Sequence, residues 1–193
     1  MGKHIFPVKG FISKEHRLKL LGINRNYVLW LTGLPGSGKS TIAHLLEKEL
    51  YSKGILSYVL DGDNIRSGLN SDLGFSKEDR KENLRRIAEV SKLFYDAGLF
   101  VIVSFISPLR EQRSFARNLI GKDFIEVYVY CPLEICKKRD PKGLYKKAEK
   151  GLIKDFTGID SPYEEPTNPE IIVDTSKLTP FECVRKILEY IKT

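Results

Sequence analysis

Eight consecutive residues, Gly33-Leu34-Pro35-Gly36-Ser37-Gly38-Lys39-Ser40, fit G-x-x-x-x-G-K-[ST], a spacing that lets backbone wrap a chain of phosphates. Glycine permits φ > 0 and close approach, and N–H groups at the start of a helix carry partial positive charge. Lys39 is expected to reach the β- and γ-phosphates of a nucleotide, and the Ser40 hydroxyl to take Mg²⁺; Thr41 continues the segment. The motif alone serves kinases, GTPases and ATP-driven switches. No N-K-x-D tetrapeptide is present to read guanine, and 193 residues are few for a motor.

Carboxylates and arginines follow. Asp61 and Asp63, in Leu-Asp-Gly-Asp-Asn, come directly after a run that reads as a strand. One of them could accept a proton from an acceptor hydroxyl or orient Mg²⁺ through water, although Asp-Gly is also a common turn. Arg66 lies three residues on, and Arg80 and Asn83 share one face of the next helix, a grouping suited to bidentate capture of phosphate or sulfate oxygens. Ser107 precedes Pro108, either as a helix N-cap or with its hydroxyl near the transferred phosphate.

These residues need a scaffold. Strands and helices alternate throughout, the pattern of an α/β fold with a mostly parallel sheet. Tyr27 to Thr32, Ile55 to Leu60, Leu99 to Ile106, Phe124 to Tyr130 and Glu170 to Val173 read as five strands. Helices are expected from Ser40 to Ser52, from a Ser76 cap onward with Leu84, Ile87, Val90, Leu93 and Phe94 as the apolar stripe, from Pro108, and from Pro180 to Ile191. Ligands of such sheets sit beyond the carboxyl ends of the strands, so the residues after the second and third strands should face the phosphate loop. Residues 1–26 form a polar leader, and 27–193 one domain. Within it, 139–168 holds three of the nine prolines and reads as a mobile loop with helical pieces, in the manner of a lid.

Composition narrows the class. A formal charge of +7 invites nucleic acid, yet the densest basic run, Lys137 to Lys150, is broken by acids and a Pro-Lys-Gly turn and lacks aromatic interleaving. A basic pocket for small anions would explain the excess, a solvated lysine-rich surface supplies most of the positive residues, and no nucleic-acid partner is expected. No run of about 18 apolar residues suggests a membrane span, and the first residues lack a signal-peptide core, so a cytoplasmic protein without membrane attachment is expected. Cys131, Cys136 and Cys183 are odd in number and scattered, which suits buried, reduced thiols.

With GLPGSGKST, LDGDNIRSGLNSDLGFSKEDRKENLRRI, VSFISP, RDPKGLYKKA and FTGIDSPYEEP in view, the chain from about Ser13 onward strongly resembles adenylyl-sulfate kinases. The resemblance implies a P-loop NTPase fold with a lid, Mg²⁺ and ATP as donor system, adenosine 5′-phosphosulfate (adenylyl sulfate) as acceptor, and a homodimer. It implies Asp63 as base at the 3′-hydroxyl, Arg66, Arg80 and Asn83 on the phosphosulfate, and Phe75 and Phe156 stacked on the acceptor adenine. Ile106, Lys142, Gly143 and Leu144 would complete that pocket, and Arg139 would lie against the adenine of ATP. Ser107 matches a serine that the family associates with a phosphoserine intermediate, whereas direct in-line transfer needs none. At Pro35 the family usually has serine, and proline removes one N–H from the loop. The alternatives are another small-molecule kinase of this fold, a non-catalytic nucleotide-binding module, and work beside a separate sulfate adenylyltransferase.

Overall fold

A computed structural model describes residues 6, 8 and 10–192. The other positions of the leader, 1–5, 7 and 9, lie outside the described residues, as does 193. The element order is α1(Lys14–Leu20) β1(Val28–Thr32) α2(Lys39–Ser52) β2(Ser57–Asp61) α3(Gly62–Arg66) α4(Lys77–Asp96) β3(Phe100–Ser104) α5(Arg110–Ile120) β4(Phe124–Tyr130) α6(Leu133–Arg139) α7(Leu144–Glu149) β5(Ile171–Asp174) α8(Pro180–Ile191). The five strands pair in the order β2-β3-β1-β4-β5, and every pairing is parallel, where the sequence suggested a mostly parallel sheet.

Strand composition explains that arrangement. β1 (VLWLT) and β3 (FVIVS) are buried at every residue, as parallel strands covered on both faces must be. On one face Ile42, Leu46 and Leu50 of α2 meet Val184 and Ile187 of α8 over the sheet. On the other, Leu84 and Ile87 of α4 and Ala116 of α5 pack with Trp30, Val101 and Val103. Each large apolar side chain so buried stabilises the fold by about 1.5–3 kcal/mol. A third, smaller cluster of Cys131, Cys136, Tyr145, Ala148 and Phe156 lies under the segment expected to be a lid.

Two expectations need correction. Leu93, assigned to the apolar stripe of α4, is 68% exposed; Ser91 and Tyr95 turn inward instead. Ser76 does cap that helix, accepting from the Asp79 N–H. The helix expected at Pro108 starts at Arg110, because Ser107 takes φ 46° and Leu109 is extended before the chain coils. Ser107 is therefore no N-cap. Residues 139–168 contain a formed helix, α7, whose Tyr145 and Ala148 are buried. The leader holds α1, capped by Ser13 and docked by Lys14 on the Tyr95 hydroxyl at 2.5 Å and Arg17 on the Asp96 carbonyl at 3.3 Å. Arg25 pairs with the buried Asp123, which also accepts from Tyr95. Among the described residues no helix is long and apolar enough to cross a membrane, and the three cysteines are buried and free.

Candidate active site

Strand order reverses around β1, so the carboxyl ends of β1, β2 and β3 open on a common crevice. The phosphate loop bridges β1 and α2. A side chain at Gly33, which has φ 156°, would place Cβ 2.4 Å from the Val129 carbonyl oxygen, so only glycine fits. The loop is braced from two sides: the Thr175 hydroxyl donates to the Ser37 carbonyl at 2.9 Å, and the Tyr145 hydroxyl to the Pro35 carbonyl at 2.9 Å. The proline slot thus contributes its carbonyl to the lid side. Lys39 folds over the loop, donating to the carbonyls of Gly33 at 3.0 Å and Leu34 at 2.8 Å. Burial brings its ammonium down to about 8.

Asp61 and Asp63 separate in role. Asp61 is buried, accepts from the Ser40 hydroxyl at 2.7 Å, and caps α3 by accepting from the Asp63 N–H at 3.1 Å. Ser104 lies 3.4 Å from the same hydroxyl. This cluster of two hydroxyls and one carboxylate suits Mg²⁺, which keeps most of its waters and takes few protein oxygens when a nucleotide supplies the rest. Asp63 instead stands out from α3 and pairs with Lys142 across the crevice.

One cavity of about 980 Å³ joins the two halves. Its wall includes Lys39, Ser40, Thr41, Asp61, Asp63, Arg66, Phe75, Arg80, Asn83, Ile106, Ser107, Arg139, Lys142, Leu144 and Phe156, with Pro35, Gly36 and Gly38 from the loop. Gly33, Leu34, Ser37 and Gly143 are not part of its wall. Each polar acceptor candidate has an internal partner. Arg66 donates to the carbonyls of Leu73 at 3.3 Å and Gly74 at 2.9 Å and stacks on Phe75 at 4.5 Å. Burial and the neighbouring Arg80 draw Arg66 below its ordinary pKa. Arg80 reaches the carbonyls of Phe75 at 2.8 Å and, across the crevice, Asp155 at 2.6 Å. Asn83 accepts from Asn70 at 2.9 Å. Phe75 is 65% exposed on one side of the cavity; Phe156 is buried on the other, edge-on to Tyr145 with centroids 5.0 Å apart.

Ser107 is 2% exposed, and its Oγ accepts from the Trp30 indole at 3.0 Å. Its carbonyl accepts from Arg113 at 2.6 Å, a guanidinium that also pairs with Glu126 and donates to the Glu164 carbonyl. Nothing in this set would deprotonate the hydroxyl. Sequence reasoning missed Thr175, Leu178 and Pro180, which line the nucleotide side of the cavity. Arg139 donates to the Thr175 hydroxyl at 3.0 Å and carbonyl at 2.6 Å. Their signal was positional: they follow β5 as Asp61 ends β2, yet no motif marks them.

The Adenylylsulphate kinase family matches residues 25–174. An adenylyl-sulfate kinase of Clostridium acetobutylicum is 61% identical over 94% of this chain and 90% of its own length. One from Thermodesulfovibrio yellowstonii is 61% identical over 95% and 92%. The APS kinase CysC of Mycobacterium tuberculosis, solved in complex with AMPPNP and APS, superposes with a TM-score of 0.84 at 49% identity, over 88% of this chain and 99% of that one. The fold is that of P-loop kinases, and the chain belongs to the adenylylsulphate kinase family.

Proposed function

We propose that this kinase transfers the γ-phosphate of Mg-ATP to the 3′-hydroxyl of adenylyl sulfate, giving 3′-phosphoadenylyl sulfate and ADP. One observation carries the reading: a single cavity joins the phosphate loop to Asp63, Arg66, Phe75, Arg80, Asn83 and Phe156. In this reading Gly33 to Thr41 cradle the triphosphate and Arg139 covers the donor adenine. Lys39 leaves the carbonyls of Gly33 and Leu34 for the β- and γ-phosphates. Ser40, with Asp61 through water, would hold Mg²⁺, which supplies charge neutralisation at the phosphates. Asp63 takes the proton of the attacking 3′-hydroxyl, after Lys142 exchanges its carboxylate partner for substrate oxygens. Arg66, Arg80 and Asn83 hold the phosphosulfate, and Phe75 and Phe156 clasp the adenine, with Ile106, Gly143 and Leu144 closing the pocket. Ser107, sealed and hydrogen-bonded to Trp30, lines that wall without forming a covalent intermediate. Closure of residues 139–168 over a single domain, 27–193, would exclude water.

The resemblance of its motifs implies a homodimer, and the proposed setting is the cytoplasm, with work beside a separate sulfate adenylyltransferase. The discriminating experiment supplies Mg-ATP with adenylyl sulfate, AMP, gluconate or shikimate in turn and measures ADP. Release confined to adenylyl sulfate, with 3′-phosphoadenylyl sulfate as product, supports the reading. Faster release with another acceptor makes the chain a different small-molecule kinase, and none with any acceptor makes it a binding module.

A further inference from the structure

Asn83 is the acceptor candidate whose partner is another buried amide. The Asn70 Nδ2 donates to the Asn83 Oδ1 at 2.9 Å. Asn83 lines the cavity at 4% exposure, while Asn70 lies behind it, fully buried. An amide has one accepting and one donating end, so engaging Oδ1 at the back turns Nδ2 to the front. Among the described residues that Nδ2 meets no protein acceptor, and it is not among the sealed, unpaired polar atoms. Beside it stand Arg66 and Arg80, which can only donate. Reversed, the amide would present a carbonyl oxygen to an anionic ligand.

Asn70 is itself fixed. Its N–H donates to the Ile65 carbonyl at 2.9 Å and its carbonyl accepts from Leu73 at 3.1 Å, so it belongs to the turn between α3 and α4. Arg86 clamps that turn through both oxygens of Asp72, at 2.7 and 2.9 Å. The cost of the arrangement shows at the other end of the side chain: Asn70 Oδ1 is buried with no partner. An amide left half satisfied is a poor choice for packing alone, and an apolar residue would fill the space better.

We infer that Asn70 is a positioning residue, which holds the Asn83 amide with Nδ2 toward the cavity so that it donates to the phosphosulfate of the acceptor. The inference rests on the acceptor assignment proposed above. Asn70→Asp in its ionised form, reached by titrating at alkaline pH, supplies only acceptor oxygens, so the Asn83 amide must then turn its Nδ2 backward and its Oδ1 toward the ligand. Calorimetry on the whole chain, with Mg-ADP filling the donor site, reads adenylyl sulfate binding in four proteins: wild type, Asn70→Asp, Asn83→Ala and the pair. Loss of a hydrogen bond to a charged group predicts about tenfold weaker binding for Asn70→Asp, less than about twofold further weakening when it is added to Asn83→Ala, and unchanged Mg-ADP affinity throughout. Equal weakening in both backgrounds, or none in either, overturns the inference and leaves Asn70 as a tether of the turn. Should Asn70→Asp not fold, Asn70→Ala enters the same cycle, with about threefold weakening only where Asn83 is present as support and any other pattern as refutation. If wild type turns over adenylyl sulfate while the cycle is additive, this inference alone falls; if wild type does not bind it, both fall.

Discussion

The donor and acceptor halves of the cavity are built from different materials. The donor half is mostly backbone: a glycine, Gly33, that admits no Cβ, N–H groups at the start of α2, and one lysine resting on the loop's own carbonyls. The acceptor half is side chains drawn from α3, the turn before α4, α4 itself, the 104–108 segment and the lid. Its arginines, lysine and asparagine each hold an internal partner: Arg80 the Asp155 carbonyl, Lys142 the Asp63 carboxylate, and Asn83, through its Oδ1, the Asn70 amide. Backbone cradles are ready when the chain folds. Side-chain cradles must exchange internal partners for substrate, which gives specificity at the cost of rearrangement.

Substitutions can break this comparison. The largest effect is expected at Lys39→Met, which removes the one side chain the donor half uses on the transferred charge; steady-state kinetics should show kcat/KM lower by about 10³-fold. Next comes Asp63→Ala, with turnover down by at least about 10²-fold and ATP binding retained, since the base belongs to the other half. Loss of ATP binding there would merge the halves. Phe75→Ala should raise the KM for adenylyl sulfate by about tenfold through lost stacking while leaving the KM for ATP within about twofold.

The smallest expected signal concerns Lys39 and protons. Its pKa is depressed to about 8 by burial, so the ligand-free fold carries a charging penalty below pH 8 that fades as pH rises toward the ordinary lysine range. Phosphates would restore the charge. Mg-ATP binding at pH 8 should therefore take up about half a proton, read as a buffer-dependent enthalpy that vanishes in Lys39→Met. No buffer dependence in wild type would mean that Lys39 is already fully protonated.

The same contrast sets what the sequence could disclose. The phosphate loop is local, eight residues between a buried strand and a helix, and it lies between β1 and α2 as the sequence suggested. The five strands were legible because β1, β3 and β4 are apolar on both faces. Their ends shifted by one or two residues where Tyr27, Ile55 and Leu99 lie just before the paired residues. The start of α5 was misread, and the N-cap alternative for Ser107 fell, because a left-handed residue followed by an extended leucine leaves no mark in residue type. Leu93 fitted the helical period of α4 but falls on its open flank. Asp63, Phe75, Asn83 and Phe156 span nearly half the chain, and no spacing rule gathers them; family likeness did. Thr175 had neither motif nor period, and Asn70, though inside the LDGDNIRSGLNSDLGFSKEDRKENLRRI segment, had no role that residue type or spacing could show; the finished fold fixed both positions.

The central claim is direct transfer between the halves, and the most direct measurement follows γ-labelled phosphate through a single turnover with adenylyl sulfate present. The account predicts label on the 3′-oxygen of 3′-phosphoadenylyl sulfate with none held on the protein at any time. Label that first appears on Ser107, or never reaches the small molecule, would contradict it.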